Sequence, residues 1–292
     1  MRSHIVRLVI LFIIFSPNLA PSLLAAEPPT EIPFTLYGGF AVIVRGAIGN
    51  QRNLSILVDT GAVPSVVDQR LARRLKLNGP AERISVVNQN LSLERVSLAG
   101  LRLASVEFPA VSAVVLDLAA IETRLGLRLD AIIGLDVLGR QNFTIDYRHR
   151  RILLGEAVAT GEPIPFELEK EAGSPYVVVS MQMNDRQVRL LLDTGANNLT
   201  LYLPRVRALG VTISQEGARI DLGAAGEYAV RQIRISNVRL GKMKRASLAA
   251  AMVNSSDSAL RDFDGLLGPS ALGLTQLAFD FDHRILYILP GQ

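Results

Sequence analysis

The sequence contains no cysteine and no tryptophan, only three histidines, and charged residues at 20% of its 292 positions. The missing thiol excludes disulfide stapling, thiol catalysis, thiolate-bound zinc and a lipid-modified N-terminal cysteine. Three histidines without close Asp/Glu/His spacing argue against a metal centre, and neither metal nor cofactor is expected. Low charge goes with 49% hydrophobic residues, so a large core is expected rather than extended disorder. The net charge is +4, yet no basic block exceeds Arg148-His149-Arg150-Arg151. Aromatics at 5% leave little to stack on bases, so nucleic acid is not an expected partner. No glycine-rich phosphate loop or dinucleotide fingerprint occurs.

Long apolar runs are also scarce, and the one candidate lies at the N-terminus. Arg2 and Arg7 flank the start of Leu8-Val9-Ile10-Leu11-Phe12-Ile13-Ile14-Phe15, and Pro17, Pro21 and Ala25-Ala26 follow. This is the layout of an export signal over residues 1–26, with a periplasmic destination. Leu24 stands where a small residue is preferred for cleavage, so an uncleaved anchor is the alternative. Membrane contact is expected only in that case. The mature chain is expected to be soluble, because no later stretch has the length and apolarity of a membrane helix. Residues 27–33 form a proline-rich lead-in with no packing pattern.

From Phe34 onward the chain consists of short Val/Ile/Leu runs separated by Gly, Asn and polar breaks, which is a β pattern. Strands are expected at 40–47, 54–58, 83–87, 93–98, 101–108, 111–116, 142–146 and 151–154. Val67, Leu71 and Leu75 fall at i, i+4 and i+8 and predict a short helix, with another around 118–125.

The chain also writes itself twice. Leu57-Val58-Asp59-Thr60-Gly61-Ala62 returns as Leu191-Leu192-Asp193-Thr194-Gly195-Ala196, 134 residues later. Asp130-Ala131-Ile132-Ile133-Gly134 returns as Asp264-Gly265-Leu266-Leu267-Gly268, and Thr144-Ile145-Asp146-Tyr147 as Ala278-Phe279-Asp280-Phe281, at the same offset. The copies slip between these anchors, as a duplicated fold does when its loops drift. Two β-rich lobes are expected, 34–156 and 166–290, joined by a Gly- and Pro-punctuated linker at 157–165.

In each copy an apolar strand delivers a carboxylate into a turn. A lone buried carboxylate is costly, so two of them suggest mutual pairing. Two carboxylates about 3 Å apart share one proton, and the ionised member can activate a water while the protonated one polarises a carbonyl. The neighbours suit that task. Gly61 and Gly195 permit close approach, Thr60 and Thr194 bring hydroxyls, and Ala62 and Ala196 leave room.

On these residues the chain resembles the pepsin and retropepsin class of aspartic proteases, in its exported bacterial retropepsin-like form. The resemblance spans roughly Phe34 to Leu289 and rests on the two Asp-Thr-Gly-Ala turns, Ile132-Ile133-Gly134 and Leu266-Leu267-Gly268. It implies an all-β fold of two similar acid-protease-like β-barrel lobes with a cleft between them. In that family the apolar-apolar-Gly strand packs beside the Asp-Thr-Gly loop in a ψ-shaped core. Asp59 and Asp193 would be the catalytic dyad, cross-braced by the hydroxyls of Thr60 and Thr194. The family also closes its cleft with a hairpin flap. Leu222 to Tyr228, with Gly223 and Gly226, suits such a tip and makes Tyr228 a candidate substrate contact. Val87-Asn88-Gln89-Asn90-Leu91 in the first lobe lacks glycine, which implies an asymmetric cleft.

The remaining candidates are expected to be structural. His149 and His283 suit turns or the surface, Asp146 and Asp280 suit backbone turns, and Asp130 and Asp264 suit the frame. Ser65 has no histidine placed to activate it. The expected function is an aspartic endopeptidase acting on peptide or protein substrates, a monomer whose lobes form a pseudo-dimer. A catalytically silent peptide- or envelope-protein-binding module is the alternative, and a dyad shared between two chains is another.

Overall fold

The strand Gln51–Val58 carries the first aspartate to its turn, and its last five residues are buried. A strand covered on both faces reads as a continuous apolar run, which explains Leu54 to Val58 with its single polar Ser55. It pairs in parallel with Ala131–Ile133, which runs antiparallel to Ser65–Asp68. Ala131–Ile133 thus sits between the two strands that the Asp59 turn connects, and Ser65–Asp68 continues in parallel onto Val111–Leu116. The second half repeats each sense. Arg186–Leu192 pairs in parallel with Gly265–Leu267, which is antiparallel to Leu199–Tyr202, itself parallel to Met243–Val253. This is the ψ arrangement the resemblance implies, present twice in an all-β chain.

These elements belong to a computed structural model that describes residues 30–86, 89–171, 174–208, 214–223, 226–253 and 263–291. Residues 1–26, where an export signal is expected, lie outside the described residues. Among those described, no helix is long and apolar enough to cross a membrane.

The halves meet through a shared sheet. Phe143–Asp146 and Leu274–Asp280 pair antiparallel, Phe143 opposite Phe279 and Ile145 opposite Leu277. Outside them lie Arg151–Leu154 and Ile285–Pro290, and outside those Thr30–Tyr37 and Glu162–Glu171. The Phe143 and Phe279 rings stack with centroids 4.4 Å apart where the two halves join. One apolar cluster runs through this sheet into both lobes.

Two sequence expectations change here. The lead-in is not featureless, because its residues 30–33 begin an outer strand and Ile32 is fully buried. The linker likewise holds strand from Glu162, with Pro163 opposite Tyr287 and Pro165 opposite Ile285. Proline cannot donate to a ladder, so its place is an outer strand. Prolines that look like breakers in sequence here mark sheet edges.

The first helix also starts later than its apolar spacing suggests. Val67 belongs to Ser65–Asp68, and Asp68 caps the helix Gln69–Arg74 by accepting from the Arg70 amide. The helix Ala119–Leu125 falls where expected and ends on Gly126 at φ 64°. The expected strand 101–108 is two strands, Leu101–Leu103 and Val106–Phe108, paired as a hairpin.

The structural aspartates hold this frame. Asp130 accepts from the Ser55 amide at 3.0 Å and Asp264 from the Arg189 amide at 2.8 Å, fixing the central ψ strand against its neighbour. Asp146 and Asp280 each accept from the amide three residues on, and their carboxyls meet the His149 and His283 rings at 2.6 and 2.8 Å.

Candidate active site

Each aspartate leaves its strand into a turn fixed by three hydrogen bonds. The Asp59 amide donates to the Ile133 carbonyl (3.0 Å), the Gly61 amide to Asp59 Oδ1 (2.8 Å) and the Ala62 amide to the Asp59 carbonyl (3.2 Å). Asp193, with Leu267, Gly195 and Ala196, repeats the same three distances. Gly134 and Gly268 follow from this, since a Cβ on either would run into the Ala62 or Ala196 carbonyl.

The threonines tie the turns together. Thr60 Oγ1 accepts from the Thr194 amide and donates to the Leu192 carbonyl, at 3.1 and 2.7 Å. Thr194 Oγ1 accepts from the Thr60 amide and donates to the Val58 carbonyl, at 3.0 and 3.2 Å. Both side chains are buried, so these four bonds hold in a low-dielectric setting where a missing partner is expensive.

The two carboxyls face each other, each lying against the other turn's glycine. A Cβ added to Gly61 would stand 2.6 Å from the Asp193 carboxyl carbon, and one added to Gly195 would stand 2.6 Å from that of Asp59. Each aspartate is half-buried, keeping some surface toward the cleft. Burial pushes both carboxyls above the usual carboxylate range. For Asp193 the nearby charge of Asp59 adds to the rise, whereas for Asp59 hydrogen bonds from Asp193, Gly61 and Gly195 oppose it. Two carboxyls held this close titrate as a coupled pair and not as independent groups.

The family model described as aspartyl protease matches this chain twice, at residues 44–137 and 179–271. The two matches cover both ψ units and well over half of the sequence. The chain belongs to the aspartyl protease family. No curated protein matches it. In this retropepsin-like arrangement a single chain supplies both Asp-Thr-Gly turns.

The cleft at the aspartates opens into a cavity of about 250 Å³, walled by Asp59, Asp193, Ala62 and Ala196 together with apolar side chains. Two hairpins stand beside it. In the second lobe Ser214–Gly223 and Gly226–Leu240 pair up to Gly223 opposite Gly226, and this hairpin lies against the helix Ala119–Leu125. Its tip, 224–225, is outside the described residues, as is the side chain of Tyr228. In the first lobe Ala81–Val86 pairs with Gln89–Leu98 up to Val86 opposite Gln89, so that hairpin forms without glycine. The second hairpin has the longer ladder. Among the described residues no group of three or more His, Asp or Glu could hold a metal ion.

Sequence reasoning missed two features. Ser65 Oγ donates to Asp136 Oδ1 (2.7 Å) and accepts from the Gly134 amide (3.0 Å), while Asp136 Oδ2 accepts from the Ser65 amide (2.9 Å). Burial pushes the Asp136 carboxyl up against those bonds. In the second lobe the Gly268 amide donates to the Asn198 carbonyl and Ser270 Oγ to the Asn197 carbonyl, each at 2.9 Å. The signal was an acidic residue two places after Gly134 where the other copy has serine. The second feature is Tyr176, whose hydroxyl donates to the Val63 carbonyl across the lobe boundary at 3.0 Å. No motif in the sequence marks it.

Proposed function

We propose that the protein is an aspartic endopeptidase whose dyad is Asp59 and Asp193. The observation that carries this reading is the pair of carboxyls held face to face at an open cleft. With one proton between them, the ionised carboxylate takes a proton from a water as its oxygen bonds to the peptide carbonyl carbon. The protonated carboxyl gives its proton to the carbonyl oxygen, and a neutral gem-diol results. Collapse returns a diol proton to a carboxylate and delivers the other carboxyl's proton to the amide nitrogen as the C–N bond breaks. The pair again holds one proton. Substrate would lie extended along the cleft, pairing its backbone with the hairpin edges.

The test is cleavage of a denatured protein by the exported chain and by Asp59→Asn and Asp193→Asn at several pH values. Each variant should lose at least about a hundredfold in rate, the range that positioned acid–base groups supply. Equal cutting by the variants, or none by the unmodified chain, would overturn the reading. Export to the periplasm and a monomeric state complete the proposal. N-terminal sequencing checks the first, and mass in solution the second.

A further inference from the structure

The two halves of the cleft are built on equivalent positions but walled differently. Ile43 lies opposite Leu57 and Val178 opposite Leu191, each leucine two residues before its aspartate. Ala41 in the first lobe therefore occupies the place of Tyr176 in the second. Val66 and Thr200 are likewise equivalent, each opposite the central residue of its ψ strand, Ile132 or Leu266. Val63-Pro64, following the first turn, correspond to Asn197-Asn198 following the second.

The consequences differ on the two sides. Beside Asp59 the small Ala41 leaves a cavity floored by Leu57, Val66, Val114, Ile121 and Ile132. Beside Asp193 the Tyr176 ring fills that volume, packing on Phe263, which packs on Tyr202. Phe263 and Tyr202 in turn stand where the first lobe has Leu129 and Asp68. What remains of the second wall is lined by Asn197, Asn198 and Thr200 beside Leu266. One half is an open pocket with an apolar floor and Arg124 on its lining, and the other is closed by aromatics and faced with the amides of Asn197 and Asn198.

We propose that the cleft reads a peptide asymmetrically, taking one bulky apolar side chain against the first lobe and a small or hydrogen-bonding side chain against the second. Tyr176 is the residue that sets this difference. The proposal rests on peptide binding in the cleft of the function above, but not on cleavage. An apolar side chain gains affinity only where it leaves water for an apolar wall, and at the second wall it would strip water from the exposed Asn197.

The test uses two isomeric peptides with a reduced, uncleavable central bond in one flanking sequence. One places Leu before the bond and Ser after it, the other reverses them, and a third carries Leu on both sides. Calorimetric titration should show one isomer binding at least about tenfold tighter than the other, the gain from burying one leucine side chain. The double-Leu peptide should gain nothing over the better isomer. Tyr176→Ala should let the double-Leu peptide overtake it, while Tyr176→Phe, which keeps the ring, should leave the ranking unchanged. Isomers that bind within twofold, a double-Leu peptide that binds best to the unmodified chain, or no binding by any of the three would overturn the proposal. An isomer preference in a chain that cuts nothing would refute the endopeptidase and leave the asymmetric cleft standing.

Discussion

Thr60 and Thr194 exchange hydrogen bonds across the lobe boundary, each hydroxyl accepting from the other's amide and donating to the carbonyl just before the other's aspartate. Thr60→Val keeps the shape but strands the Thr194 amide and the Leu192 carbonyl in a buried site. Each stranded group costs about 1–3 kcal/mol. Urea unfolding of Thr60→Val, Thr194→Val and the double variant should show losses of at least that size that are not additive. A coupling of at least about 0.5 kcal/mol is expected for residues in one network. Strict additivity would mean the two turns are braced by something else.

Gly61→Ala and Gly195→Ala test how tightly the carboxyls are held. Each new methyl would meet the opposite carboxyl carbon at 2.6 Å, so one group has to move. Overpacking of this kind costs about 1–3 kcal/mol. Loss of cleavage should exceed what the loss of folded protein explains, because the displaced group is the reactive one. Kinetics at a temperature where both variants remain folded separates the two effects.

The pH dependence has two limbs of opposite sign. Burial holds the Asp59–Asp193 pair above the usual value of 3.8, so the folded chain keeps a proton that the unfolded chain has released. Stability from this pair is full below 3.8 and is lost as pH rises through its folded titration. Cleavage should fall over the same rise, since a doubly ionised pair has no proton to give. Asp68, Asp146 and Asp280 are shifted the other way. Burial opposes the shift, but hydrogen bonds from Arg70 or from the histidine three residues on outweigh it. Their contribution is present above 3.8 and lost as pH falls through their lowered values. Denaturation midpoints against pH should therefore flatten on the acid side in Asp146→Asn and on the other side in Asp193→Asn.

Phe279→Ala should destabilise both lobes together. Its ring stacks on Phe143 from the other half, inside an apolar cluster common to both. Truncating a buried phenylalanine costs about 3–5 kcal/mol. Calorimetry should show one transition at lower temperature. A variant that melts in two steps would show that the lobes are independent.

The sequence was most informative where backbone constraint and side-chain chemistry coincide. Asp-Thr-Gly and the apolar-apolar-Gly strands could be found because the turn admits so few alternatives, as the clash of any Gly134 side chain with the Ala62 carbonyl shows. The all-β class and the roles of Asp130, Asp146, Asp264 and Asp280 were likewise legible from period and spacing. Thr30–Tyr37 was not, because Pro33 hides a strand whose outer edge needs no donors. The first hairpin was legible in outline, its strands expected at 83–87 and 93–98 and found at Ala81–Val86 and Gln89–Leu98. Tyr176 was invisible for another reason. Its meaning lies in the contrast with Ala41, and that equivalence exists only once the strand registers are known.

Ala41 and Tyr176 also bear on why both turns reside in one chain. Two identical subunits meeting on a twofold axis must present the same residue at both places, so whatever opens one half of their cleft opens the other. Here a single covalent connection through residues 155–161 removes that identity constraint. The halves keep matching Asp-Thr-Gly turns, where the chemistry needs a pair. They diverge at the walls beside those turns, and a cleft built on a symmetric frame acquires a direction.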